Sequence, residues 1–343
     1  KQAHFGGEMS ALRIDRNNLR INSSPIIICS NNIKAYSIAD RAIVSSLARI
    51  YLDRVIKMIL QWNIGEVTIT RILEIELKVA YYTKYPFMRE AHPEALAEIP
   101  WLSPNFVTDD GELIISIHAL LVQTPKLNLL VDTCVGNDKA RAITGNEALH
   151  TEFLKDLEAA GCSREKIDAV VCTHLHVDHV GWNTMKVGDN WTPTFPNARY
   201  LIGRIEYDYW SQSDADDQIP VMLDSVTPIF EAGLADLVDF NHVISPEIRL
   251  IPTIGHTPGH VSVVIESQGE KALITGDSMH HPCQIARPHW TVSFDEDGDA
   301  AQQCRNTLLA NIADTDTLVI GTHFASPTAG KVISDGEAYK LIF

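Results

Sequence analysis

Basic residues are scarce in this chain: 28 Lys and Arg stand against 44 Asp and Glu in 343 residues, a formal charge of −16. A nucleic-acid partner calls for a basic stripe, and the sequence has none. It also lacks any apolar run of about 18 residues free of charge, so no membrane-spanning helix is expected. The start, Lys1-Gln2-Ala3-His4-Phe5, does not read as a secretory signal. No cysteines are spaced as CxxC. Cys29, Cys134, Cys162, Cys172, Cys283 and Cys304 follow no regular interval and read as thiols of a reducing cytoplasm. Internal repeats and low-complexity tracts are absent as well.

What is present is concentrated in one stretch. Thr173-His174-Leu175-His176-Val177-Asp178-His179 puts three imidazoles and a carboxylate directly after the apolar run at 167–172. Imidazole nitrogen and carboxylate oxygen suit zinc and its neighbours, and a buried strand supplies the rigidity that metal geometry demands. In an extended segment alternate residues share a face, so His174 and His176 can meet one ion while Leu175 faces the core. Asp178 and His179 are adjacent, project differently, and can hold a second ion. Four groups do not fill two coordination shells, so further ligands are expected elsewhere. Three later segments offer them: Thr253-Ile254-Gly255-His256-Thr257-Pro258-Gly259-His260, the apolar run ending Thr275-Gly276-Asp277, and the run ending Gly321-Thr322-His323. Each follows a strand-like segment, and in sheet enzymes such groups collect along one edge.

The HxHxDH signature with the later TPGH, GD and GTH resembles the metallo-β-lactamase-fold hydrolases, from about residue 64 to the C-terminus. The resemblance implies a four-layer αββα sandwich of class α+β, with two mixed sheets face to face and helices outside. It implies His174, His176 and His260 on a first zinc, Asp178, His179 and His323 on a second, and Asp277 bridging both. Manganese, cobalt or iron would also suit these ligands. His256 is read as a structural residue or a support behind the ligands. The implied chemistry is hydrolysis by a hydroxide held between two metals, with Asp178 accepting a hydrogen bond from it.

After Asp277 the run Ser278-Met279-His280-His281-Pro282-Cys283-Gln284 gives a GDxxH...Q pattern similar to the lactonase and methyl-parathion-hydrolase branches. His280 is the candidate general acid, because an imidazole can protonate a leaving alkoxide near neutral pH. Trp182, Phe195, Tyr207, Tyr209, Trp210, Met222, Trp290 and Phe294 are candidates to line an apolar pocket. The expected activity is opening of a lactone or carboxylic ester, with acyl-homoserine lactones in range. An organophosphate triesterase or an aryl dehalogenase on the same metals is the alternative, and a ligand-binding protein without turnover comes third.

The remaining segments fit around this core. Residues 1–57 read as an N-terminal extension with an amphipathic helix candidate over 38–60, and 58–343 as the catalytic domain, with Met58 a candidate start. The helix candidate and residues 210–222 are surfaces on which a homodimer could form. One opening strand is expected over 59–71, strands over 114–122 and 127–132, and a helix over 147–160 stopped by Gly161. Asp132-Thr133 resembles the family's DTG turn with Cys134 in place of glycine. Residues 182–196 read as an irregular loop, His118 as a core histidine, and His4, His92, His150 and His242 as surface or loop residues.

Overall fold

The computed structural model describes residues 60–81 and 87–343. The expected extension, and its helix candidate but for Leu60, lie outside the described residues. The first strands form a hairpin, β1 (Gln61–Ile64) and β2 (Val67–Val79), rather than one opening strand. Gly65 makes the turn at φ 55°. Then come β3 (Leu113–Gln123), β4 (Asn128–Val131), β5 (Ala169–Cys172), the small hairpin β6 (Thr184–Val187) and β7 (Asn190–Pro193), β8 (Arg199–Gly203) and β9 (Ala235–Val238). The segment expected to be an irregular loop thus contains a hairpin, paired Thr184 to Pro193 through Val187 to Asn190. The helix expected over 147–160 is shorter, Phe153–Ala159, because Ala148 and Leu149 form bridges to Ala140 and Asn137 instead.

The second half supplies β10 (Val243–Ser245), β11 (Ile248–Pro252), β12 (Val261–Ser267), β13 (Glu270–Ile274), β14 (Leu318–Ile320), β15 (Ala329–Asp335) and β16 (Ala338–Ile342). Two seven-stranded sheets result, ordered β1-β2-β3-β4-β5-β8-β9 and β10-β11-β12-β13-β14-β15-β16. Both are mixed. The first is antiparallel up to β4 and parallel from β4 through β9, and the second has a single parallel pair, β13 with β14.

Strand periodicity sorts the apolar residues into three layers. Leu120, Val122 and Val171 point inward to meet Val263, Ile265 and Ile320 of the other sheet. Their sequence neighbours Ala119, Leu121 and Val170 point outward under Phe153, Leu157, Trp210 and Ile229. Val264, Leu273 and Val319 face the opposite exterior, beneath Leu308, Leu309 and Ile312 of the helix Gly298–Ile312. Three apolar layers separate helix, sheet, sheet and helix, which is the expected αββα sandwich. Each fully buried Leu, Ile or Val contributes about 1.5–3 kcal/mol, so a core continuous across all four layers holds the strand ends in fixed register.

No helix among the described residues is long and apolar enough to cross a membrane. The described cysteines are all free, and burial pushes the thiols of Cys134 and Cys172 up, to about 12 for the latter, as befits packing residues. His118 is buried, with Nδ1 2.8 Å from Ser116 Oγ.

Candidate metal centre

Every segment singled out for ligands leaves a strand at the same edge of the sandwich. Asp132 follows β4, Thr173 to His179 follow β5, His256 follows β11, Asp277 follows β13 and His323 follows β14. The stretch after β5 bends immediately, yet the alternation expected there holds. His174 faces the centre and Leu175 enters the core beneath the outer helices.

Two groups of donor atoms converge, each within 4.8 Å: His174, His176 and His256 in one, Asp178, His179 and His323 in the other. Between them lies Asp277 Oδ2. It is 3.9 Å from His174 Nε2 and 3.5 Å from His256 Nε2 on one side, and 3.3 Å from His179 Nε2 and 3.1 Å from His323 Nε2 on the other. A single carboxylate oxygen therefore touches both groups.

Hydrogen bonds behind the rings set their tautomers. His256 Nδ1 lies 2.9 Å from Asp295 Oδ1, His179 Nδ1 2.9 Å from Asp132 Oδ2, and His323 Nδ1 3.0 Å from the Ser116 carbonyl oxygen. Each contact places a proton on Nδ1, so that Nε2 is the nitrogen directed at the centre and, in the neutral ring, the one able to ligate. The Thr173 hydroxyl donates to Asp132 and so accepts from His174 Nδ1 at 3.1 Å. His174 Nε2 is then buried with no hydrogen-bond partner. An orphaned inward lone pair, in a ring of others, is what a cation site requires.

The electrostatics agree. Burial, reinforced by neighbouring imidazoles, pushes His174, His176 and His256 well below the usual histidine range, so they sit neutral and able to ligate. Burial also works against His179 and His323, but Asp277, Asp178 and, for His179, Asp132 outweigh it and pull both up. Burial likewise opposes the charge on Asp277, yet His179, His323 and His280 hold that carboxyl well below its ordinary range. A buried anion that calls for positive charge from both sides is a place where a metal ion displaces a proton.

One expected ligand, His260, falls outside both groups of donor atoms. His260 is buried, but Nδ1 lies 3.0 Å from the Thr253 carbonyl oxygen and Nε2 accepts the Asp277 N–H at 2.8 Å. His256 takes the place beside His174 and His176, its Nε2 2.9 Å from His176 Nδ1. The reason is topological. His260 immediately precedes β12, whose first residue pairs with Pro252, so its ring lies within the sheet. His256 stands at the top of the loop above the edge. His260 instead orients the peptide of Asp277.

His280 reaches the same centre. Its Nε2 is 3.1 Å from Asp277 Oδ2, yet the approach lacks hydrogen-bond geometry, and neither ring nitrogen has a hydrogen-bond partner among the described residues. The Gln284 side chain holds it in place by accepting the His280 N–H at 2.7 Å and donating to the Trp290 carbonyl at 2.9 Å. Phe87 and Phe294 meet the ring edge-on, with centroids at 5.9 and 5.4 Å.

Of the aromatic candidates, few border the centre. Trp182 and Phe195 lie in the core under the outer helices, Met222 packs against that core, Tyr207 stacks on Phe230, and Trp290 is in the core of the second sheet. Trp210 packs 5.3 Å from His176 with Tyr209 against it, and Phe294, 41% exposed, flanks His280 and His256. Phe87 belongs to this wall and was not expected. Asp295 was also missed, in the acidic stretch Asp295-Glu296-Asp297.

A family model described as the metallo-beta-lactamase superfamily matches residues 115–323. An N-acyl homoserine lactonase of Bacillus sp is 24% identical over 196 residues, spanning 52% of this chain and 70% of that protein. One from Bacillus thuringiensis is 26% identical over the same shares. Among solved structures, the hydrolase AbOPH in the beta lactamase superfamily superposes with a TM-score of 0.69 at 25% identity, over 83% of this chain and 96% of that one. AidC, a dizinc quorum-quenching lactonase in complex with a homoserine product, superposes with a TM-score of 0.69 at 24% identity and the same coverage.

Proposed function

Because this chain belongs to the metallo-β-lactamase superfamily, we propose that it is a dinuclear metal-dependent hydrolase opening a lactone or carboxylic ester with an apolar portion. The observation that carries the reading is the convergence of two groups of three ligands on Asp277 Oδ2. His174, His176 and His256 would hold one zinc, Asp178, His179 and His323 the other, and Asp277 would be shared. Bound there, such a pair supplies Lewis acidity and lowers the pKa of water to near neutrality. The relatives named as lactonases, and the homoserine product in a structural neighbour, support the substrate class.

The chain's own residues divide the remaining work. Asp178, the more accessible of the two carboxylates, offers one oxygen for ligation and the other to take a proton from the attacking water. Water oxygen bonds to the carbonyl carbon as the ring or ester C–O bond breaks. His280, without a hydrogen-bond partner among the described residues and 3.1 Å from Asp277, gives a proton to the departing alkoxide. Phe87, Phe294, Tyr209 and Trp210 form the apolar wall against which an acyl or alkyl portion packs.

The test is metal content per chain together with rates on an acyl-homoserine lactone, an aryl ester and an aryl phosphotriester. Two metals with turnover of lactone or ester is the expected result. Two metals with dominant phosphotriester cleavage would replace the substrate class, and a protein that takes up no metal would overturn the reading.

A further inference from the structure

Two buried glutamates outside the ligand set draw attention because neither is paired with Lys or Arg among the described residues. Glu206, 1% exposed, lies in the first turn of the helix Arg204–Trp210. It accepts hydrogen bonds from Leu175 N at 3.0 Å, Trp210 Nε1 at 2.6 Å, Thr257 Oγ1 at 2.7 Å and Gly259 N at 3.0 Å. Leu175 separates His174 from His176, Thr257 follows His256, and the Trp210 ring packs against His176. Three of the four donors therefore adjoin a residue of one metal position, and the fourth, Gly259, lies in the loop that carries His256. A Cβ at Gly259 would stand 2.2 Å from Glu206 N, so only glycine lets that loop reach the helix.

Glu74 does the same on the other side. The register of β2 against β3 skips between Leu73 and Ile75, and a bulge of this kind turns the extra residue out of the ladder. Its carboxylate, 4% exposed, accepts from Val135 N at 2.8 Å, Gly136 N at 3.2 Å and Trp182 Nε1 at 2.7 Å, with Thr151 Oγ1 at 3.5 Å. Val135 and Gly136 end the turn that begins at Asp132, the partner of His179. Trp182 lies three residues past His179, and its N–H donates to Thr133 O at 2.7 Å. A Cβ at Gly181 would stand 1.8 Å from Val135 O, so this pair of loops also meets at a glycine. Burial pushes both carboxyls up while these donors pull them down. An apolar side chain in either place would strand several buried donors.

We propose that Glu206 and Glu74 are positioning residues, each clamping the loops of one metal position, so that the two positions can be weakened separately. Glu206 governs the His174, His176, His256 position, and Glu74 governs the Asp178, His179, His323 position. The inference rests on the dinuclear reading above.

The test titrates Zn2+ into metal-free protein against a chromophoric chelator, with circular dichroism to confirm the fold of each variant. His176→Ala and His323→Ala assign the two dissociation constants to their positions. Glu206→Gln places an amide N–H2 against donors, and is expected to raise the first constant about 10–100-fold and leave the second within twofold. Glu74→Gln is expected to do the reverse. Should either fail to fold, Thr257→Val and Trp182→Phe each remove one donor and are expected to shift the same constants by at least threefold. Folded variants with both constants unchanged, or with both raised alike, would overturn the inference alone. Wild-type protein binding fewer than two ions would overturn the dinuclear reading and this inference with it.

Discussion

Replacing His256 or His260 by alanine separates two histidines that look equivalent in GHTPGH. His256→Ala removes one of four groups at the first metal position, His174, His176, His256 and Asp277. A fully ligated structural zinc is worth about 10–16 kcal/mol, so one ligand in four corresponds to about 3–4 kcal/mol, or about 10²–10³-fold in affinity. His260→Ala removes a ring outside both groups of converging donor atoms. It deprives the buried Asp277 N–H of its acceptor at 2.8 Å, costing about 1–3 kcal/mol of folding stability. After dialysis against a micromolar chelator, the His256 variant should retain one ion per chain and the His260 variant two, the latter melting earlier than wild type. One ion in the His260 variant beside two in the His256 variant would refute the ligand geometry described above.

Three further outcomes are expected. His280→Ala should keep both ions and lose about 10²–10⁴-fold in kcat on an alkyl lactone, with a smaller loss on a nitrophenyl ester whose leaving group needs no proton. Equal losses on the two substrates would argue against proton donation by this ring. Phe294→Ala should lower kcat/KM for a long-chain acyl substrate about tenfold relative to a short-chain one, since the half-exposed ring offers apolar contact beside His280; an unchanged ratio would remove it from the substrate wall. Lys139 is buried under Trp191 with Nζ donating to Thr184 O, and burial, only partly countered by Asp224, pushes it down to about 8. Its folded pKa lies below the unfolded value of 10.5, so its contribution is favourable above that value and lost as pH falls through about 8. Wild type should therefore gain about 3 kcal/mol over Lys139→Met between pH 8 and 10.5, seen in chemical denaturation; a difference independent of pH would contradict the burial argument.

Sequence alone determined the elements whose signal is local. Apolar runs ending in histidine or aspartate placed the strand ends after β5, β13 and β14, and HxHxDH together with the later GD and GTH supplied six of the seven groups that converge. The unbroken apolar run over 114–122 marked a strand, and the resemblance to the family implied two sheets between helices. Tertiary structure alone decided what depends on where the chain goes after a turn. GHTPGH carries two histidines with the same chemistry, and only the pairing of β12 with β11 buries His260 in the sheet and leaves His256 above it. Asp295, Glu74 and Glu206 gave no local signal, because the groups each joins to the centre lie 31 or more residues away in the chain. A carboxylate's role is set by the donors that folding brings to it, and those donors come from segments that sequence spacing does not connect.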